Sequence, residues 1–496
     1  MKTIDNFLNS ITMYRLVMYG LGMLAVISVA FSFFGLVSFT ALQLGELAVV
    51  LIVSCWLTAE VFAHIYKGAI NPESPVITAL ILFFVLAPAQ NMSEVGIIFL
   101  TGLIAIASKY IFSVNDKHLF NPAAIAAVLI TFFGSGQAVW WVATPALSVF
   151  TAVLAFLIIR KIRRFHLFFA FIIGALPAII YFNNPISILA GFALIWRVLI
   201  SWPLLFFAGV MLTEPLTGPY NKINRIIYGI LIGLLFGSQF VFGPVYSTPE
   251  LALVIGNIFA YLVSAKYKAR LYFKNKKEIA DGVYEFYFST DQEIKYKPGQ
   301  YFEWTLDHDK SDNRGVRRYF TISSSPTYDD LSIAVRLDPN KASSFKKSLL
   351  DLKPGDQMFA SQLSGDFVMP RNKKQKLAFI AGGIGVTPFA SMVRYLLSRG
   401  QQRDVCLFYA AQNNKQFAYL DLFAEASDVI GLKTFYLATE TDGYLTAKKV
   451  IDSMPDYKSR LFYISGPNAM VENYKKMLLS AGVSHSQIRT DYFPGF

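Results

Sequence analysis

The sequence predicts a multi-pass α-helical membrane domain of about ten spans over residues 1–265, an antiparallel β-barrel over 266–370 and an α/β domain with a parallel sheet over 371–496. Three observations predict it. Charge is divided unevenly, with 20 Lys, Arg, Asp and Glu residues up to position 265 and 58 beyond it. Long apolar runs fill the first part, and short alternating runs broken by Gly and Pro follow. From about residue 376, apolar strand-like runs alternate with helical ones, the layout of an open parallel sheet with helices on its faces. At 496 residues the chain is too long for one core, so two or more domains are expected.

A helix that crosses a bilayer needs about 20 apolar residues, because it must satisfy its own backbone polar groups. Apolar runs near 14–38, 46–66, 75–89, 95–112, 121–134, 140–160, 165–182, 186–212, 225–243 and 249–265 are the candidate spans. The third and fifth are short and bounded by Pro, which suggests half helices, and the long eighth is expected to kink at Pro203. Lys67, Lys109 with Lys117, Arg160 to Arg164, and Lys222 with Arg225 fall in alternate loops, whereas the loops near 40, 92, 137, 184 and 246 carry no Lys or Arg. The positive-inside rule then puts the charged half and both termini in the cytoplasm, with the chain in the cytoplasmic membrane.

Behind the last apolar run, Lys266, Lys268, Arg270, Lys274, Lys276 and Lys277 read as a juxtamembrane stop facing membrane lipid, and the net charge of +12 carries the same meaning. No nucleic acid partner is expected. The first apolar run is long and lacks a small-residue cleavage site, so it reads as a span and not as a signal peptide. Cys55 and Cys406 stand alone, which excludes a disulfide framework and an iron-sulfur cluster, and no metal site is expected. His64, His118 and His166 lie on different segments, against stacked bis-His haem. Glu60 and Glu214 are intramembrane carboxylates, read first as solvated helix ends. The run Leu80 to Pro88 echoes Leu204 to Leu212 five spans later, either as the mark of an inverted 5+5 repeat or as two Leu/Phe-rich spans alike in composition.

Within 266–370, strands are expected at Gly282 to Phe288, Tyr301 to Trp304 and Leu331 to Arg336, separated by turns such as Lys297-Pro298-Gly299 and Lys353-Pro354-Gly355. Beyond it, buried strands are expected at Leu377 to Ala381, Val405 to Tyr409, Lys433 to Leu437 and Leu461 to Ser465. Gly382-Gly383-Ile384-Gly385-Val386-Thr387-Pro388 follows the first of these and opens a helix. Without Cβ atoms in the way, its N–H groups can meet a dinucleotide pyrophosphate. Ser465-Gly466-Pro467 with Met470 ends a later strand and lends that motif its context.

Together with Arg318-Tyr319-Phe320-Thr321, these motifs resemble the ferredoxin-NADP reductase family over the last 230 or so residues. The resemblance implies an NAD(P)H oxidoreductase with FAD. Arg318 would pair with a flavin phosphate, Tyr319 lies within the motif, Phe320 would face the isoalloxazine, and the Thr321 hydroxyl would bond the N5 atom that accepts hydride. Ser323, Ser343 and Ser344 are expected near the flavin pyrophosphate. Gly382, Gly383, Gly385, Thr387 and Pro388 would hold the dinucleotide, with Ser465, Gly466, Pro467 and Met470 flanking the nicotinamide. Ser465 stands where the family has Cys. Phe493 or Phe496 would cover the flavin ring until nicotinamide displaces it. Residues 410–416 hold one Lys and no Arg, which favours NADH over NADPH.

Ser74-Pro75-Val76-Ile77-Thr78-Ala79-Leu80, Phe120-Asn121-Pro122-Ala123-Ala124, Met211 to Pro219 and Tyr228 to Gly233 resemble the flavin-carrying membrane subunits of Rnf and of the sodium-pumping NADH:quinone reductase. That resemblance implies ten spans in two inverted repeats, with FMN or riboflavin in the membrane domain. It also implies FMN joined to Thr144 of Ala143-Thr144-Pro145. The Asp and Ser that precede such a Thr in the family are replaced here by Ala138, Val139, Trp140, Trp141 and Val142, and the alternative is that Thr144 and Pro145 start a helix. Electrons would pass to a quinone, a bound flavin or an extracytoplasmic acceptor, with further electron-transfer subunits as partners. A quinone reductase without flavin in the membrane half, and a redox-coupled ion transporter subunit, are the alternatives.

Overall fold

An apolar stretch of backbone closes its hydrogen bonds internally, and the described residues of the first unit are mostly helical, with two short antiparallel pairings, Ser113–Val114 with Lys117–His118 and Val241–Phe242 with Val245–Tyr246. The computed structural model describes residues 4, 7–8, 11–66, 72–114, 117–133, 138–243, 245–264, 268–308, 312, 316–337 and 342–493. The chain divides into two compact units, Met1–Lys266 and Tyr267–Phe496.

The first unit runs through α1 (Met13–Ser32), α2 (Ala41–Tyr66), α3 (Glu73–Val85), α4 (Met92–Ile111), α5 (Pro122–Phe132), α6 (Pro145–Ile162), α7 (Phe165–Asn183) and α8 (Ile188–Ser201). A short turn, Leu204–Phe206, leads into a π-helix, Phe207–Met211, and α9 (Lys222–Gly237) and α10 (Pro249–Val263) follow. Side-chain caps from Thr12, Asn91, Asn121, Ser187, Asn221 and Thr248 start six of these helices. Among the described residues, five helices, α1, α2, α4, α6 and α7, are long and apolar enough to cross a membrane. A sixth candidate is the pair made by α8 and Leu204–Met211, bent by 62° at its break. That break is the kink expected at Pro203, whose ring and missing N–H cannot continue a helix.

Three further helices are short. Helix α3 has 13 residues, α5 has 11 and α10 has 15. At 1.5 Å per residue, α3 rises roughly 20 Å, two thirds of a hydrocarbon core of about 30 Å. Its last carbonyls are satisfied by the irregular segment before α6: Val139 and Trp140 donate backbone N–H groups to Val85 O at 2.8 and 2.9 Å, and the Trp141 indole donates to Phe83 O at 2.6 Å. The two similar Leu/Phe runs meet there, with the rings of Phe84 and Phe206 5.5 Å apart. Helix α1 stops six residues before its expected end, where Gly35 takes φ +66°.

Helices α7 and α9 pack with backbones in contact. Gly229, Gly233 and Gly237, four residues apart, face α7, where a Cβ on Gly237 would stand 2.7 Å from Ala175 O and one on Gly233 would collide with Phe171 O. Such small-residue stripes are how helices associate where lipid removes the hydrophobic drive. Glu214 is held by polar partners: its carboxylate contacts His118 Nε2 at 3.0 Å and accepts from Thr217 and from Asn121, the N-cap of α5. Met23, Val49, Ile173 and Trp196 point outward, between 61% and 69% exposed, a surface that water would not favour.

The second unit holds two sheets. The first contains β1 (Lys268–Ala280), β2 (Val283–Thr290), β3 (Tyr301–Thr305), β4 (Arg317–Thr321), β5 (Leu331–Arg336) and β6 (Gln357–Ser364), with α11 (Ser344–Leu350) before β6. Its order is β4-β3-β6-β1-β2-β5, every neighbour antiparallel. Phe286, Phe288, Phe302, Trp304 and Phe345 fill its core. From Lys268 to Lys277, the basic cluster taken as a juxtamembrane stop lies in β1, and Lys266 lies outside the described residues. In β1 the residues Ala269, Leu271 and Phe273 turn inward, Arg270 and Lys274 are exposed, and Lys274 pairs with Asp330 at 2.7 Å.

The second sheet contains β7 (Leu377–Gly382), β8 (Val405–Ala411), β9 (Lys433–Ala438), β10 (Leu461–Pro467) and β11 (Ile488–Phe493). Their order is β9-β8-β7-β10-β11, all parallel. Helices α12 (Thr387–Ser398), α13 (Leu420–Ile430), α14 (Ala447–Ser453) and α15 (Asn468–Ser480) connect the strands. β7 and β8 are buried along their whole length, as strands covered on both faces must be. The chain moves outward from β7 to β9 and then returns to place β10 on the other side of β7. The carboxyl ends of β7 and β10 thus flank the switch point at which open α/β sheets bind ligands.

Candidate active site

At that switch point the glycine motif closes on the end of β10. Gly383–Val386 forms a 3-10 turn with Gly383 at φ +53°, and α12 begins at Thr387 with Pro388 in its first turn. The Thr387 hydroxyl donates to Ile384 O at 3.0 Å, fixing the turn to the helix. A Cβ on Gly385 would lie 2.5 Å from Ser465 O and 2.6 Å from Gly466 Cα, and one on Gly382 would collide with Met470 Sδ. Nine expected residues therefore meet here: Gly382, Gly383, Gly385, Thr387, Pro388, Ser465, Gly466, Pro467 and Met470. β11 pairs with β10 in a register that sets Phe493 opposite Pro467 and Asp491 opposite Ser465. Phe496 lies outside the described residues, and of Phe493 only the backbone is described.

β4 is an edge strand, so one side of its backbone is open to a ligand. Alternation puts Arg318 and Phe320 on one face and Tyr319 on the other, where Tyr319 is 52% exposed and donates to Glu303 at 2.7 Å. Arg318 reaches Asp312 at 3.0 Å and lies over the Phe345 ring at 5.3 Å, and that ring is 5.8 Å from Phe320. Ser343 is occupied as the N-cap of α11, accepting from Lys346 N. Ser344 Oγ accepts from Asp312 N at 2.9 Å and contacts His308 Nε2 at 3.0 Å. Phe345, His308 and Asp312 were not among the expected site residues, and they surround Arg318 and Ser344.

Two expected hydroxyls, Thr321 Oγ1 and Ser465 Oγ, are buried and have no hydrogen-bond partner among the described residues. A buried hydroxyl without a partner is costly, and both fit a site whose ligand supplies the missing bond. Ser323 behaves differently and corrects the expectation of a pyrophosphate contact. It is fully buried, and its hydroxyl donates to Glu285 at 2.6 Å and meets Ser332 Oγ at 2.8 Å. Thr144, in the first unit, is the N-cap of α6 without a side-chain cap bond, and its Oγ1 is likewise buried and unpartnered among the described residues.

Ser323 leads to a cluster that sequence reasoning missed. On β2, Val283 and Glu285 share one face, and Val283 packs into the core of the α/β lobe. Glu285 is therefore buried between the sheets, where Arg394 of α12 bridges both its oxygens at 2.7 and 3.0 Å. Tyr287, Ser332 and Tyr419 also donate to it, at 2.7, 2.9 and 3.2 Å. Burial alone would raise the Glu285 carboxyl, but the hydrogen bonds and charge of Arg394 outweigh it and hold the group below the ordinary carboxylate value. The available signal was a carboxylate two residues along the strand from Val283, on the same inward-facing side.

A cleft of about 680 Å³ lies beside this cluster, lined by Tyr287, Ser324, Arg394 and the acidic residues Asp329, Asp330, Asp421 and Glu425. No residue of the glycine turn or of β4 lines it, and its four carboxylates would repel a pyrophosphate. Among the described residues, no cluster of His, Cys, Asp and Glu could hold a metal ion.

Residues 379–476 match the family described as Oxidoreductase NAD-binding domain. The chain is 24% identical to flavohemoprotein A of Dictyostelium discoideum over 232 residues, covering 44% of this chain and 58% of that one. It is 27% identical to a flavohemoprotein of Burkholderia sp. strain TH2, covering 40% and 52%, and 28% identical to an NADPH oxidoreductase of Mycobacterium tuberculosis, covering 38% and 50%. This chain thus spans about half the length of the relatives it matches. The flavohem-like FAD/NAD-binding domain of a nitric oxide dioxygenase from Vibrio cholerae aligns with a TM-score of 0.41 at 20% identity, over 45% of this chain and 98% of that one. Within the second unit, residues 379–476 thus match an oxidoreductase NAD-binding domain.

Proposed function

We propose that this chain is a membrane-bound oxidoreductase that takes hydride from NADH with FAD in its second unit and passes electrons through its helical unit. The acceptor is a quinone, a flavin bound in that unit or a molecule beyond the membrane. The observation that carries the reading is the crossing of Gly385 over Ser465 and Gly466 at the switch point, where any side chain would close the approach to the backbone.

In this reading Arg318 exchanges Asp312 for a flavin phosphate, a planar fork meeting two oxygens. Phe320 and Phe345 supply apolar surface beside it, and Ser344 a hydroxyl. Thr321 donates to the ring atom that accepts hydride, and Ser465 borders the nicotinamide. The N–H groups of Gly383 to Thr387 meet the dinucleotide pyrophosphate at the start of α12. Phe493 or Phe496 covers the flavin ring until nicotinamide arrives. FAD, when bound, supplies the conversion between two-electron and one-electron chemistry. NADH is preferred to NADPH because Gln412, after β8, is bonded at 2.9 Å to Glu440, a carboxylate that would repel a 2′-phosphate.

For the helical unit the reading includes ten membrane segments in an inverted repeat, with α3 and α5 as half helices. The meeting of Phe84 and Phe206 supports the repeat, and the small-residue contact of α7 with α9 supports the membrane. FMN or riboflavin would be carried there, with Thr144 as the candidate linkage. Closure of the six-stranded sheet into a barrel, residence in the cytoplasmic membrane and further electron-transfer subunits belong to the same reading.

Two measurements on the full chain in detergent test it. Flavin is counted before and after acid precipitation, and one acid-releasable FAD with nothing else removes the flavin of the helical unit. Vesicles carrying the chain and an enclosed impermeant acceptor are then given external NADH. Reduction of the enclosed acceptor is expected, and its absence, with reduction of quinone analogues also absent, rejects transfer through the helical unit.

A further inference from the structure

We propose that Glu285 and Arg394 are positioning residues that set the distance between the hydride donor and acceptor sites of the second unit. The proposal rests on the functional reading above and adds to it. Helix α12 starts at the glycine turn and carries Ser391, Arg394 and Ser398 along one face, spaced by three and four residues. All three grip the segment that follows Thr321. Ser391 donates to Ser324 O at 2.6 Å, Arg394 to Ser323 O at 2.9 Å, and Ser398 Oγ accepts from Thr327 at 2.8 Å.

The Glu285–Arg394 pair is the charged centre of this grip. Glu285 comes from the sheet that carries Arg318 and Thr321, and Arg394 from the helix that opens at the dinucleotide turn. Tyr419 braces both, donating to Glu285 at 3.2 Å and lying 5.1 Å under the guanidinium. A bidentate pair held by four further hydroxyls has one geometry, so the flavin strand cannot slide against α12 without breaking it. Neither residue belongs to the glycine turn, to β4 or to the end of β10. Their effect on the reaction would therefore be through position.

The test uses the full chain in detergent, loaded with FAD, as wild type and as Glu285→Gln, Arg394→Gln and Arg394→Lys. Each is mixed anaerobically with NADH and with NADH deuterated at the transferred position, while FAD content, KM and Tm are measured alongside. The expected result is a fall of about 10²-fold in the flavin reduction rate at saturating NADH, the loss typical of an ångström-scale misplacement. FAD content and KM should stay within about twofold, the isotope effect should change, and Arg394→Lys should retain an intermediate rate. Arg394→Lys keeps the charge and decides the matter alone if the Gln variants do not fold. Variant rates equal to wild type, or rates that fall only in step with lost FAD or lowered Tm, overturn the clamp. If the wild type itself is not reduced, the functional reading falls, and the clamp with it.

Discussion

Replacing Gly385 by alanine adds one methyl group at the tightest crossing of the proposed dinucleotide site. That methyl would stand 2.5 Å from Ser465 O, 2.6 Å from Gly466 Cα and 2.6 Å from Ser465 C, all of them backbone atoms. Carbon contacts relax only near 3.5 Å, so the ends of β7 and β10 must part by roughly 1 Å. Overpacking of this kind costs about 1–3 kcal/mol. If the strain is relieved by displacing the turn that meets the pyrophosphate, the KM for NADH rises about five- to a hundredfold at 1.4 kcal/mol per tenfold. Gly382→Ala is the internal comparison, because its methyl meets the flexible end of Met470, which can swing away, and its KM should change only a few-fold. Steady-state kinetics with NADH, with FAD content measured by absorbance, distinguishes them. A Gly385→Ala enzyme with wild-type KM and Tm would refute the argument that this crossing holds the dinucleotide.

Four further outcomes are expected. Thr321→Val should leave Tm unchanged or raise stability by up to about 1 kcal/mol, since the lost hydroxyl has no partner among the described residues, while slowing flavin reduction in rapid mixing. Arg318→Ala removes charge-assisted bonds of about 1.5–3 kcal/mol, so FAD affinity in a fluorescence titration should fall roughly ten- to a hundredfold, with part recovered in Arg318→Lys. Glu285 titrates below its ordinary value of 4.5 in the folded chain. The contribution of its ionised form should therefore be complete above pH 4.5 and lost as pH falls through its lowered value. Denaturation of wild type and Glu285→Gln should show a constant gap from pH 5 to 8 that narrows in acid. Gly233→Val should disrupt the α7–α9 contact and lower the stability of the helical unit, read by detergent melting, while NADH still reduces flavin in the second unit.

Much of the site was legible because its constraints are local. The glycine turn needs residues without Cβ where β7 and β10 nearly touch, and the order of strand, glycines, Thr387 and Pro388 records that need in one stretch of chain. Pro203 announced the 62° bend for the same reason, a backbone rule acting at one residue. What stayed hidden depends on distant partners. β1 looked like a block of lysines because its solvent face is basic, and only pairing with β2 and β6 reveals that Ala269, Leu271 and Phe273 make the other face a core strand. Ser323 follows the flavin motif closely enough to suggest a phosphate contact, yet its burial against Glu285 is set by α12, seventy residues later. β11 carries Arg489, Thr490 and Asp491 at a sheet edge and so lacks an apolar signature. The spans were drawn too long where Gly35 ends α1 and where α3 ends at Val85 to accept the loop before α6.

The central claim is that reducing equivalents enter this chain from NADH through a flavin held in the second unit. Anaerobic mixing of the detergent-purified full chain, loaded with FAD, against NADH tests it most directly, with absorbance followed near the flavin maximum. The account expects rapid loss of the yellow colour at a rate that saturates with NADH and is slowed in Thr321→Val. A bound flavin that keeps its oxidised spectrum in excess NADH would contradict it.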